Sequence, residues 1–82
     1  MERTQIMSVV KKHLANAVEG VTADQIDAGK SMKDYGASSL DIVEVVSASM
    51  RELKIKIPRN ELAAIKTIDG LVEMFGKCAS QQ

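Results

Sequence analysis

Aromatic residues are almost absent from this chain. It has no tryptophan, one tyrosine (Tyr35) and one phenylalanine (Phe75). Nucleic-acid binding by base stacking needs several exposed rings, so it is poorly served. An excess of either charge is missing too: 11 Lys and Arg stand against 11 Asp and Glu. A general nucleic-acid surface needs a basic surplus, which argues against that class of partner. A single cysteine, Cys78, leaves no internal disulfide. With one histidine, His13, it makes no metal-ligand cluster. No apolar run is long enough to cross a bilayer. Met1 to Gln5 lacks the charged-then-apolar order of a secretion signal, so a cytoplasmic location is expected.

What remains is one small domain, residues 1–82, with a core expected over about 4–77. Ile6, Val10, Leu14, Ala17 and Val18, with Val9 beside them, recur at helical spacing. Lys11, Lys12, Asn16 and Glu19 take the other side, and Gly20 reads as a C′ glycine that stops the helix. His13 lies at the border of that stripe. From Val21 to Ala37 the chain is rich in Thr, Asp, Gly and Lys, a long connection pinned by Val21, Ile26 and Met32. A short turn at Ala23-Asp24-Gln25, capped by Thr22, is expected within it.

A second helix is predicted from Ser39 to Leu53, with Leu40, Val43, Val46, Met50 and Leu53 as its stripe. Ile42 and Val45 fall off that stripe; either they widen the buried face or they stay exposed for a partner. Leu53-Lys54-Ile55-Lys56-Ile57 alternates like a strand but has no mate, so an extended linker burying Ile55 and Ile57 is expected. Pro58 should open a short turn to Leu62 or Ala63. A last helix should follow Thr67, carrying Ile68, Leu71, Val72 and Phe75, with fraying from Cys78 to Gln82. The fold class is therefore all-α, a small three-to-four-helix bundle with a long loop between the first and second helices. The absence of a sustained heptad predicts a monomer.

No catalytic set is evident. A nucleophilic Ser39 needs a histidine base, and nothing places His13 beside it. The hydroxyls of Ser38 and Ser39 nonetheless stand where a glycine turn at Gly36 meets an amphipathic segment. A helix N-terminus favours negative charge through its unpaired N–H groups and dipole. A serine there can equally be a simple N-cap.

The segment Ser31-Met32-Lys33-Asp34-Tyr35-Gly36-Ala37-Ser38-Ser39-Leu40-Asp41-Ile42-Val43-Glu44 resembles the acyl carrier protein signature. There a hydrophobic-Gly-x-Asp-Ser-Leu core precedes an acidic-apolar helix. Ile57-Pro58, Ile65 and Thr67-Ile68 sit where that family has its Ile-Pro step, an apolar residue and a Thr opening the last helix. The resemblance runs from about Ile6 to Phe75. It implies a non-enzymatic carrier whose Ser39, followed by Leu40, takes a 4′-phosphopantetheine arm from coenzyme A. Ser38 replaces the usual Asp and is the rival hydroxyl.

The resemblance also implies partners: a phosphopantetheinyl transferase, then ketosynthase, acyltransferase and other enzymes of polyketide or fatty acid synthesis. They would read Leu40, Asp41, Glu44, Val45 and Glu52 on the front of the second helix. The chain departs from the strongly acidic fatty-acid type. It is neutral, has Arg51 and Arg59 where acids are common, and has Ser47 at an apolar contact position. Ile57-Pro58-Arg59-x-Glu61-Leu62 resembles discrete carriers that feed polyketide assembly lines, which favours a free-standing carrier of that kind. An aminoacyl or peptidyl carrier, or a helical interaction module with Ser39 as mere cap, are the other readings. A gap among Ala48, Met50, Ala63 and Ala64 would admit an acyl chain; packed alanines are the plainer expectation.

Overall fold

A computed structural model describes residues 2–62 and 65–80, and every regular element among them is helical. Helix α1 spans Arg3–Ala17, α2 Ser39–Leu53, α3 Arg59–Leu62 and α4 Ile68–Ser80. The expected bounds of α2 and the start of α4 match. Cys78 to Ser80 continue α4, while Gln81 and Gln82 lie outside the described residues.

The core is built by α1, α2 and α4, with α1 packed on both of the others. Helix α1 contributes Ile6, Val9, Val10 and Leu14, all buried. It stops at Ala17, and Val18 is already extended. Gly20 adopts a left-handed φ of 85°, one position farther from the helix than a C′ glycine would stand. Helix α4 buries Ile68, Leu71, Val72 and Phe75, the four positions its spacing marked. Thr67 caps it, its Oγ1 accepting from the Gly70 N–H at 3.0 Å. Arg3 pairs with Asp69, tying the start of α1 to the start of α4.

The long loop is held at both levels of its chemistry. Ile26 and Met32 are buried, and Val21 packs partly against the core. Its backbone also serves α4: Ala28 C=O accepts from Asp69 N–H at 2.8 Å, and Lys30 C=O from Ile68 N–H at 3.0 Å. Two free N–H groups of a helix start are thereby paired. The turn at Ala23–Gln25 forms, although Thr22 makes no side-chain cap. A second turn, Met32–Tyr35, was not expected; Ser31 and Asp34 close it as a capping box. Tyr35 links the two turns, its hydroxyl accepting from Asp27 N–H and donating to Gln25 C=O.

After α2, Ile55 and Ile57 are buried in an extended linker, as the alternation implied. Pro58 lies just before α3 rather than inside it, its C=O accepting from Glu61 and Leu62 N–H. Ala63 lies outside the described residues. Lys54 ends α2 in the left-handed region at φ 58° with no glycine to ease it.

One polar side chain sits in the core without a partner. Ser49 on α2 is fully buried, and among the described residues its Oγ finds no hydrogen bond. Leaving a hydroxyl unpaired costs about 1–3 kcal/mol, and alanine is the better helix former. Ser49→Ala should therefore stabilise the fold by about 1 kcal/mol, raising Tm by about 4–8 °C in a melt followed by circular dichroism.

Candidate functional site

The N-terminus of α2 is set up by two capping boxes in series. The first closes the Met32–Tyr35 turn, and Gly36 ends it at φ 87°. A Cβ built on Gly36 meets nothing within 4 Å, so the glycine is required by its backbone angle and not by crowding. Ala37 then turns inward and is buried. The second box follows at once. Ser38 Oγ accepts from Asp41 N–H at 3.2 Å, and Asp41 Oδ2 accepts from Ser38 N–H at 3.0 Å.

This arrangement separates the two adjacent hydroxyls. Ser38 is the N-cap, and its oxygen is committed. Ser39 is the first residue of α2 and is exposed. Among the described residues, its hydroxyl has no hydrogen-bond partner. The N–H groups of Ser39 and Leu40 precede the first donor of the helix ladder, Ile42 N–H to Ser38 C=O, and among the described residues they are also open. An anionic ester on Ser39 would therefore sit against free donors and the positive end of a 15-residue helix.

The front of α2 differs from expectation at two of five residues, Val45 and Glu52. Leu40 is 82% exposed, and Glu44 is exposed beside it. Asp41 is half-buried and holds the cap, so one carboxylate oxygen is already used. Val45 is 0% exposed and belongs to the core. It cannot meet a partner, because α2 turns the Val45–Ser49 side inward. Val43, at 61% exposure, is the apolar neighbour of Leu40, although its place in the helical stripe predicts burial. The signal was present: Leu40, Val43, Glu44 and Ser47 share one face at spacings of three and four.

Glu52 leaves the candidate set as well. Both its oxygens meet Lys12 Nζ, at 2.6 and 2.8 Å, and its Oε1 lies 2.9 Å from His13 Nε2. The hydrogen bond from Lys12, then that from His13, holds its carboxyl below the usual 4.5. A depressed folded pKa adds stability that is present above the unfolded value and lost as pH falls through the folded one. Glu52→Gln should thus leave a shallower loss of Tm below about pH 4.5, read in melts across an acid series.

Beside α2 lies an open cleft of about 960 Å3. Ile42, Val43, Val46, Ser47 and Met50 form one wall. The second turn, the linker, the segment before α4 and Leu71 of α4 form the other. Met50 is the one member of the expected alanine-lined gap that borders it; Ala48 is not among the lining residues, and Ala63 and Ala64 lie outside the described ones. Ile42 and Val43 lie three and four residues after Ser39, about 5 Å along the helix.

Comparison with known proteins bears on this geometry. Residues 12–75 match the family described as "Phosphopantetheine attachment site". A polyketide biosynthesis acyl-carrier protein, AcpK, of Bacillus subtilis is 26% identical over 75 residues, 92% of each chain. An acyl carrier protein of Saccharopolyspora erythraea is 32% identical over 75 residues, 90% of this chain and 78% of that protein.

Proposed function

The chain belongs to the phosphopantetheine-attachment family of acyl carriers, and from that membership we propose that Ser39 holds the arm. A carrier of this family catalyses no reaction itself and works with a phosphopantetheinyl transferase and synthase enzymes. The arm supplies a thiol, on which acyl groups travel as thioesters.

The observation that carries the assignment is the unequal state of two neighbouring hydroxyls: Ser38 is bonded into the cap and Ser39 is exposed and uncommitted. Phosphoryl transfer to Ser39 needs its oxygen free to attack and its surroundings open to an enzyme. The N–H groups of Ser39 and Leu40 would orient the resulting phosphodiester. Ser38 and Asp41 would fix the first turn so that the ester leaves α2 in one direction. Leu40, Val43 and Glu44 would form the surface offered to partner enzymes, with Asp41 contributing its remaining oxygen.

The finer placement is a free-standing, monomeric carrier in the cytoplasm serving polyketide synthesis. The likeness to the Bacillus carrier, along 92% of the chain, supports it. So does the neutral balance of charge. The domain would be the whole of 1–82, with the acyl chain lying along the cleft beside α2.

The test is the mass of the intact protein after incubation with coenzyme A and a broad-specificity transferase. One phosphopantetheine per chain is the expected gain. An unchanged mass would remove the reading.

A further inference from the structure

The segment that delivers Ser39 is held together by short-range bonds, with one exception. Gln25 N–H donates to Thr22 C=O, Lys30 N–H to Asp27 C=O, Gly36 N–H to Lys33 C=O and Ala37 N–H to Met32 C=O. The side-chain bonds of Asp27, Ser31 and Asp34 are equally local. Tyr35 is the exception. Its hydroxyl accepts from Asp27 N–H and donates to Gln25 C=O, eight and ten positions back. Among the described residues these are the only side-chain hydrogen bonds that join the Met32–Tyr35 turn to the first half of the loop.

The far side of that bridge is anchored. Ile26, between the two bonded residues, is buried, and the C=O groups of Ala28 and Lys30 accept from the first N–H groups of α4. The near side is Gly36, whose left-handed angle turns the chain into Ala37 and the α2 cap. The Tyr35 ring packs partly against the core. An apolar side chain at this position could pack in the same way, but only a hydroxyl there adds a directional restraint.

We propose that Tyr35 is a positioning residue for attachment of the arm: its hydroxyl ties the turn before Gly36 to the anchored half of the loop and so holds Ser39 in the pose a transferase engages. This deepens the carrier reading and rests on Ser39 as the tether. In the reaction served, a new P–O bond to Ser39 Oγ replaces the pyrophosphate P–O bond of coenzyme A. Adenosine 3′,5′-bisphosphate leaves, and the serine proton passes to solvent through the transferase. Tyr35 takes no part in that exchange and acts through the backbone. Without its bridge the turn samples other orientations, and a smaller fraction of chains presents Ser39 correctly. Apparent affinity for the transferase falls by that fraction, while turnover of the bound chain is unchanged.

The experiment compares the full wild-type chain with Tyr35→Phe, which keeps the ring and loses the bridge, and with Val45→Ala, which weakens the core and leaves the loop alone. Each is incubated with coenzyme A and a broad-specificity transferase at a temperature where all three are folded. KM and kcat for the chain are read from initial rates of mass gain. Tyr35→Phe should raise KM about fivefold, the factor that one ordinary hydrogen bond carries, with kcat unchanged. Val45→Ala should keep both values. In backbone amide spectra Tyr35→Phe should shift Asp27, Gly36 and Ser39 and speed hydrogen exchange at Asp27 N–H. A wild-type KM in Tyr35→Phe would overturn the assignment. So would an equal rise in Val45→Ala, which would reduce Tyr35 to a contribution to stability, or a loss confined to kcat. A missing mass gain on the wild type would instead overturn the tether, and the positioning role with it.

Discussion

Ser39→Ala should gain no mass from coenzyme A and transferase, while Ser38→Ala should still gain one arm. The two hydroxyls are adjacent, and both sit at the start of α2, so sequence position alone does not separate them. Their bonding does. Ser38 Oγ accepts from Asp41 N–H, and its own N–H returns a bond to the Asp41 carboxylate. Drawing that oxygen into a phosphodiester would break the cap. Ser39 can be esterified with the cap intact, because nothing among the described residues bonds to its hydroxyl. The two alanine variants should also differ in stability. Removing the N-cap oxygen costs about 1 kcal/mol. Removing an exposed, unbonded hydroxyl at the first helical position costs within about 0.5 kcal/mol. A mass gain on Ser39→Ala, or its loss on Ser38→Ala with the fold retained, would reverse the assignment.

The chain announces some of this and conceals the rest, for identifiable reasons. Helix α4 is legible because Ile68, Leu71, Val72 and Phe75 fall in one stripe and all four are buried. The bounds of α2 are legible because the Ser-Ser start and the shift to alternation after Leu53 bracket it. Which face of α2 turns inward is another matter. Leu40, Ile42, Val43, Val45 and Val46 crowd five apolar residues into seven positions, so period alone permits more than one stripe. The true inner face, Val45, Val46, Ser49 and Leu53, is disguised by a serine in its middle. The stripe that spacing predicts is rotated toward Leu40 and Val43, which are exposed.

The loop carries a readable signal of its own. Ser31-x-x-Asp34 repeats the spacing of Ser38-x-x-Asp41, and both close capping boxes. Only the second precedes an apolar run, so only that one stands out as a helix start. The Lys12–His13–Glu52 cluster had no signal at all. It joins residues 39 and 40 positions apart, a meeting that only the packing of α1 on α2 creates.

The rotation of α2 leads to the sharpest contrast between neighbouring side chains. Leu40→Ala should melt with the wild type and slow transfer of the arm by about tenfold, the loss typical of an apolar anchor at an interface. Val45→Asp should fail to fold. An unpaired carboxylate at a position with 0% exposure costs several kcal/mol. A domain this small has roughly 3–5 kcal/mol in total from its core. Val45→Ala separates folding from recognition. It keeps the site apolar, should melt lower by a cavity cost of roughly 1–3 kcal/mol, and should accept the arm at the wild-type rate below its Tm. The pair is measured by circular dichroism melts and by the initial rate of mass gain with the transferase. If Leu40→Ala is modified as fast as wild type, the exposed leucine is not an anchor. If Val45→Ala is slow while folded, the inner face of α2 reaches partners through a movement that opens the bundle.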